Sequence, residues 1–173
     1  MYLISAYFDE KTNRVLQGYI AKVAKATGND FMVANLVPPH LTLSAIEARS
    51  VDVLVPAFEK LGTQISMGDI SLITAGQLMQ KVLYISPYLN EYLHNLEQQV
   101  FDCFIDIPNT TISNYYRPFS WLPHVTLAKT LTREQMLAAV QTMVDFKRLD
   151  ASIVRIGLAK VNPHEDVRLI DLH

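Results

Sequence analysis

The chain has 173 residues, of which 50% are hydrophobic and 18% charged, and a formal net charge of −2. That is ample for one packed domain, or for two small lobes sharing a core, and it excludes a disordered chain. With no long run of one charge, a broad non-specific nucleic-acid surface is also excluded; a pocket for one phosphate or one RNA end needs only a few donors and stays open.

The N-terminal stretch MYLISAYF predicts a first strand. It lacks a basic n-region and turns acidic by Asp9, so it does not read as a signal peptide. A helix is predicted to start near Asp9 or Thr12, with Val15, Leu16, Tyr19, Ile20 and Val23 at helical spacing and TGND as its end. A loop through Pro38 and Pro39 leads to a strand, HLTLSAIE. A shorter helix carries Leu54, Val55, Phe58 and Leu61, starts only a few residues before Pro56 and is closed by Gly62. ISMGDISLIT is a strand or a bent strand pair.

KVLYIS opens the second half as a strand. Ser86 and Pro87 read as a helix cap with proline in the first turn. Leu89, Leu93, Leu96, Val100 and Phe104 form the apolar stripe that follows. Cys103, the only cysteine, excludes an internal disulfide and reads as a small core residue. The loop PNTTISNYYRPFSWLP leads to a strand, HVTLAK. Thr132 and Gln135 have capping-box spacing, and the helix behind them carries Met136, Leu137, Val140 and Val144. SIVRIGLAKV and VRLIDLH are the closing strands. No apolar run approaches the ~18 residues of a membrane span. The expectation is a cytoplasmic protein.

Each half therefore runs strand, helix, loop, strand, helix, strand. The order suggests a duplicated unit of about 80 residues. It gives one bilobal domain, with a first repeat over about 1–78 and a second over about 79–173, or with terminal strands exchanged between lobes. Alternating strands and helices also suit a parallel doubly wound sheet, but no Gly-rich phosphate loop follows any strand.

The fourth predicted element of each half opens on the same phrase: PHLTL at 39–43 and PHVTL at 123–127. Residues i and i+2 of a strand share a face. His40, Thr42 and Ser44 thus point one way and Leu41 and Leu43 the other; His124 and Thr126 oppose Val125 and Leu127. One such strand is ordinary, since antiparallel sheets often have a wet face. Two copies with the flanking proline and aliphatics have a chance probability well under roughly one in a thousand. If the two strands face one cleft, two imidazoles and two hydroxyls converge. Histidine, with an ordinary pKa of ~6.5, serves as base or acid near neutrality. Threonine hydroxyls donate to non-bridging oxygens on which charge builds. That is a kit for phosphodiester chemistry with no metal and no nucleophilic side chain.

The paired motif, with its histidines 84 positions apart, resembles the signature of the 2H phosphoesterase superfamily, which includes the bacterial 2′-5′ RNA ligase-like proteins and 2′,3′-cyclic nucleotide phosphodiesterases. The resemblance spans nearly the whole chain. It implies an α+β fold of two lobes, each an antiparallel sheet backed by helices, with His40, Thr42, His124 and Thr126 lining the cleft between them. It implies action on a nucleotide or RNA terminus carrying a 2′,3′-cyclic phosphate or a 2′-5′ linkage, with no metal, no cofactor and no protein partner.

The loop before His124 supplies further candidates. Tyr115, Tyr116 and Trp121 suit base stacking and Arg117 suits a phosphate, against a simpler reading of Phe119 and Trp121 as buried loop anchors. Ser44 has the parity to line the cleft. Lys129 falls by alternation on the face opposite His124. His94 reads as a surface helix residue, His164 as part of a turn and His173 as the terminus. None of them has metal-ligand spacing with another histidine or cysteine. A non-catalytic module gripping an RNA end in the same cleft is the alternative. A metal-dependent hydrolase lacks a carboxylate in either motif, and ATP-dependent ligation lacks a K-x-D-G sequence.

Overall fold

A computed structural model describes residues 1–161 and 163–173. Eight strands and five helices follow one another along them: β1 (Tyr2–Phe8), α1 (Glu10–Thr27), α2 (Phe31–Ala34), β2 (Leu41–Glu47), α3 (Val55–Gly62), β3 (Gly68–Leu78), β4 (Val82–Pro87), α4 (Glu91–Phe104), β5 (Thr111–Ile112), β6 (Val125–Ala128), α5 (Arg133–Gln141), β7 (Leu149–Lys160) and β8 (Glu165–Asp171). All strand pairings are antiparallel, which gives the α+β class and rules out the doubly wound alternative.

The strands run in the order β1-β2-β6-β4-β3-β7-β8, and β7 also pairs with β1, so six of them close a ring. Long β7 makes this possible. Its first part, Leu149–Ile153, pairs with β3, and Ile153–Lys160 pairs with β1 while β8 takes the other edge. On the far side the ring closes through a single residue pair, Leu41 of β2 with Val125 of β6. The strands carrying the two histidine motifs therefore meet at one point.

Local sequence explains the elements. The Asp9 side chain accepts from the Thr12 backbone N–H at 2.9 Å and caps α1. It also accepts from Ser152 N at 3.0 Å, tying the helix start to β7. Burial works against its ionisation, but these hydrogen bonds prevail and hold the Asp9 carboxyl below its ordinary pKa. Gly28 stops the helix in the left-handed conformation at φ 69°, where a Cβ is disfavoured. Leu16, Ile20 and Val23 form its buried stripe. The α1 helix lies against α5 and β6, and α4 lies against α3 and β2. Each fully buried leucine of this core contributes about 1.5–3 kcal/mol.

Two local expectations need correction. Ser86 and Pro87 end β4 rather than start a helix; Asn90 caps α4, its side chain accepting from Leu93 N at 2.9 Å. Ser86 instead donates to the Pro123 carbonyl at 2.7 Å, fixing the turn before His124. Gly62 closes α3 as expected, and it also packs closely: a Cβ there would lie 2.5 Å from Ile170 Cδ1 of β8. The capping box of Thr132 and Gln135 forms, yet α5 turns Met136 and Ala139 inward. Leu137 and Val144, expected in its apolar stripe, are 68% and 70% exposed.

Candidate active site

The single bridge between β2 and β6 organises the site. Leu41 and Val125 are paired there, and both are fully buried. Alternation then turns their neighbours, His40 and Thr42 on one strand and His124 and Thr126 on the other, to the opposite face. All four are half-buried. In an antiparallel register through Leu41 and Val125, His40 stands across from Thr126 and Thr42 across from His124. Each imidazole thus has the other motif's hydroxyl as its cross-strand neighbour. The electrostatic influence of His124 is felt at His40.

The two histidines are held alike. His40 Nδ1 lies 2.8 Å from the Pro38 carbonyl, and His124 Nδ1 lies 2.8 Å from the Leu122 carbonyl. A carbonyl only accepts, so Nδ1 carries the hydrogen in both rings and Nε2 is left for chemistry. The proline-containing approach to each strand supplies this contact: the acceptor is two residues back in each case. Each ring also has a tyrosine beside it. Tyr84 of β4 meets His124 edge to face, with centroids 5.4 Å apart, and Tyr7 of β1 lies 6.3 Å from His40.

A third histidine joins the His40 side. His164, in the turn before β8, stacks on His40 with ring centroids 5.5 Å apart. Its Nε2 is 3.4 Å from Asp166 Oδ1, and the Tyr7 hydroxyl donates to the same oxygen at 2.5 Å. Burial disfavours the Asp166 carboxylate, but hydrogen bonds from His164 and Tyr7 outweigh it and hold its pKa below the ordinary value. The Tyr7 phenol is pushed up, first by burial and then by its hydrogen bond to Asp166; Ser5 and Arg155 oppose the shift without cancelling it. His40 is pushed down to about 4, first by burial. The Pro38 carbonyl and Asp166 oppose that shift, while His164 and His124 add to it.

The sequence signal for this cluster was an H-x-D pair, His164 and Asp166, at the start of β8, which β7 separates from the strand that carries Tyr7. Tyr7 and Tyr84 gave no separate signal. Lys129 sits on the same side as His40 and Thr126, contrary to strict alternation: β6 ends at Ala128, and the Lys129 ammonium folds over the Phe31 ring, 4.4 Å from its centroid. Phe31, Val37, His40, Thr126, Lys129 and His164 line a cavity of about 390 Å³.

The loop before β6 covers the other end of β2. Trp121 Nε1 donates to the Thr42 carbonyl at 3.0 Å, and Ser113 N donates to the Ala45 carbonyl at 2.9 Å. Burial raises the Tyr116 pKa, opposed by a hydrogen bond with Thr42. Ser44 is 1% exposed and so does not line an open cleft as its parity suggested. Trp121 and Tyr116 are half-buried, whereas Tyr115 and Arg117 are exposed. Phe119, read as a candidate anchor, is 97% exposed. Among the described residues no group of three or more His, Cys, Asp or Glu is placed to hold a metal ion.

Family comparison fits this geometry. The model of the 2′-5′ RNA ligase superfamily matches residues 14–165, which include both motifs. The chain belongs to the 2′-5′ RNA ligase superfamily, the 2H phosphoesterases. No curated protein matches it. Among solved structures, this superfamily member is similar to Escherichia coli LigT complexed with 3′-AMP, with a TM-score of 0.66 and 15% identity over 99% of this chain and 97% of that one. TT0787 of Thermus thermophilus follows with a TM-score of 0.62 and 16% identity over 99% and 97%. Usb1 of Kluyveromyces marxianus has a TM-score of 0.51 and 10% identity over 99% and 97%. At these identities the structures establish the fold, and the family places the chain among phosphoesterase- or ligase-like enzymes.

Proposed function

We propose that this protein is a metal-independent phosphoesterase acting on a 2′,3′-cyclic phosphate or a 2′-5′ phosphodiester at an RNA end or nucleotide, by general acid/base catalysis with two histidines. The observation that carries the proposal is the pair of motifs flanking one bridge, each imidazole locked through Nδ1 to a carbonyl two residues back. The LigT structure with 3′-AMP supports a nucleotide as ligand of this fold.

The chemistry follows from the local environments. Burial keeps His40 neutral at working pH, the form required of a base. Its Nε2 takes a proton from the attacking water, whose oxygen bonds to phosphorus. The bond from phosphorus to the departing ribose oxygen breaks, and protonated His124 gives that oxygen its proton through Nε2. Thr42 and Thr126 donate to the non-bridging oxygens as their charge grows. The cavity beside His40, walled by Phe31 and Val37 and edged by Lys129, takes the phosphate and its ribose.

The test is hydrolysis of 2′,3′-cyclic mononucleotides by purified protein in EDTA, with products separated by chromatography. Turnover that survives EDTA and vanishes in His40→Ala and in His124→Ala supports the reading. Binding without product across all four cyclic nucleotides would instead favour a non-catalytic RNA-end module.

A further inference from the structure

A second cavity, of about 420 Å³, opens on the other side of the Trp121 loop. Leu89, Asn90, Glu91, His94, Glu97, Phe119 and Trp121 line it. It adjoins the site directly, because the same Trp121 ring that walls the cavity donates its N–H to the Thr42 carbonyl at 3.0 Å.

Three features of this cavity have no structural purpose of their own. Glu97 is 3% exposed, and among the described residues its Oε1 has no hydrogen-bond partner. A buried carboxylate without a donor is costly, and apolar residues would serve the core better at that position. Burial raises the Glu97 pKa; His94, one turn back on α4, opposes this and Asp102 reinforces it. Next, Phe119 is 97% exposed and holds a backbone φ of 66°, a conformation that bulky residues rarely adopt. Its ring lies 6.1 Å from that of His94, at the cavity mouth. Finally, the ionisable lining consists of Glu91, Glu97 and His94, with no lysine or arginine. Such a pocket repels a phosphate and accepts a planar, donor-bearing, uncharged ring.

We propose that this cavity is a guanine-selective base subsite, with the ring held against Trp121 and Phe119 and its Watson–Crick edge donating to Glu97. An ionised carboxylate is purely an acceptor. Guanine alone among the four RNA bases presents two adjacent donors on that edge, N1–H and the N2 amino group. Adenine and cytosine place a donor beside an acceptor, and uracil places its one N–H between two carbonyls. The inference rests on the reading that the cleft takes nucleotide ends, and it adds a preference for a guanosine neighbouring the phosphate that the histidines hold.

Trp121 is the only tryptophan in the chain, so its fluorescence reports on this cavity without any turnover. Titration with 3′-GMP, 3′-AMP, 3′-CMP and 3′-UMP is expected to show the guanine nucleotide binding roughly tenfold or more tightly than the others, as a bidentate base contact gives. Glu97→Gln, which replaces one acceptor by a donor, is expected to bring the four dissociation constants to within about threefold of one another. Phe119→Ala, at a surface position that leaves the core intact, is expected to weaken guanine binding. Equal affinity for the four nucleotides in the wild-type protein, or a guanine preference that persists in Glu97→Gln, would overturn the subsite. Turnover of cyclic nucleotides with no base preference would overturn it while leaving the phosphoesterase reading in place. Guanine-selective binding without turnover would do the reverse.

Discussion

His40 and His124 share a motif and a tautomer but not an environment. His40 lies beneath His164 and beside Tyr7, while His124 meets the edge of Tyr84. Either His→Ala change is expected to lower kcat by about 10²–10⁴, the usual worth of a positioned acid or base, as measured by steady-state kinetics on a cyclic nucleotide. The depressed His40 pKa fixes the acid limb. A base works only when unprotonated, so kcat/KM is expected to fall as pH drops through about 4, rather than through the ordinary histidine value. Burial sets that limb first; the Pro38 carbonyl and Asp166 oppose the shift, and His164 and His124 add to it. Asp166→Asn removes the charge that favours protonated His40, so the limb is expected to move to lower pH. The same shift bears on stability. With the folded pKa at about 4 and the unfolded one near 6.5, the unfolded chain binds the extra proton between those values. The contribution, on the order of 3 kcal/mol, is present above about pH 6.5 and lost as pH falls toward 4. Denaturant melts across that window, on wild type and His40→Asn, measure it. At this scale the motif residues were legible because their types and spacing recur. His164 and Asp166 were not, since their place beside His40 is set by pairing between strands far apart in sequence.

At the scale of elements, strand alternation and helix caps were legible wherever the signal is local. Asp9, Gly28 and the Thr132–Gln135 box all act as their positions suggest. The misreadings come from tertiary contacts. Ser86 and Pro87 look like a cap, yet β4 continues through them because Ser86 is held by the Pro123 carbonyl. The α5 helix has apolar residues on two faces, and only packing against α1 decides which turns inward. Gly62 does stop α3, and Ile170, more than a hundred positions away, additionally requires its missing side chain. Gly68 is the sharper case of such close approach. A Cβ there would enter the Tyr92 ring, whose hydroxyl is anchored to the Ser66 carbonyl at 3.0 Å. Gly68→Ala is therefore expected to destabilise the fold by about 1–3 kcal/mol by separating α4 from β3, measured as a fall in the denaturant midpoint. In contrast, Thr132→Ala at the α5 cap is expected to cost only ~1 kcal/mol, again by denaturant melt, and to leave kcat unchanged.

At the scale of the whole molecule, the ring of strands brings together motifs that are 84 positions apart in sequence. Each motif alone is a strand with one wet face. Their meaning comes from the Leu41–Val125 pair, which closes the ring and sets each histidine across from the other motif's threonine. The sequence indicated the family and the two motif strands, because both rest on a repeated local phrase. It did not reveal that the ring closes through one bridge, nor that Trp121 reaches back to the Thr42 carbonyl. Those depend on strand order and loop packing. The central claim is that both imidazoles act on one phosphate without a metal. The most direct measurement is hydrolysis of 2′,3′-cyclic GMP in EDTA by the wild-type protein, His40→Ala and His124→Ala. The account predicts turnover by the wild type alone; full activity in either variant would contradict it.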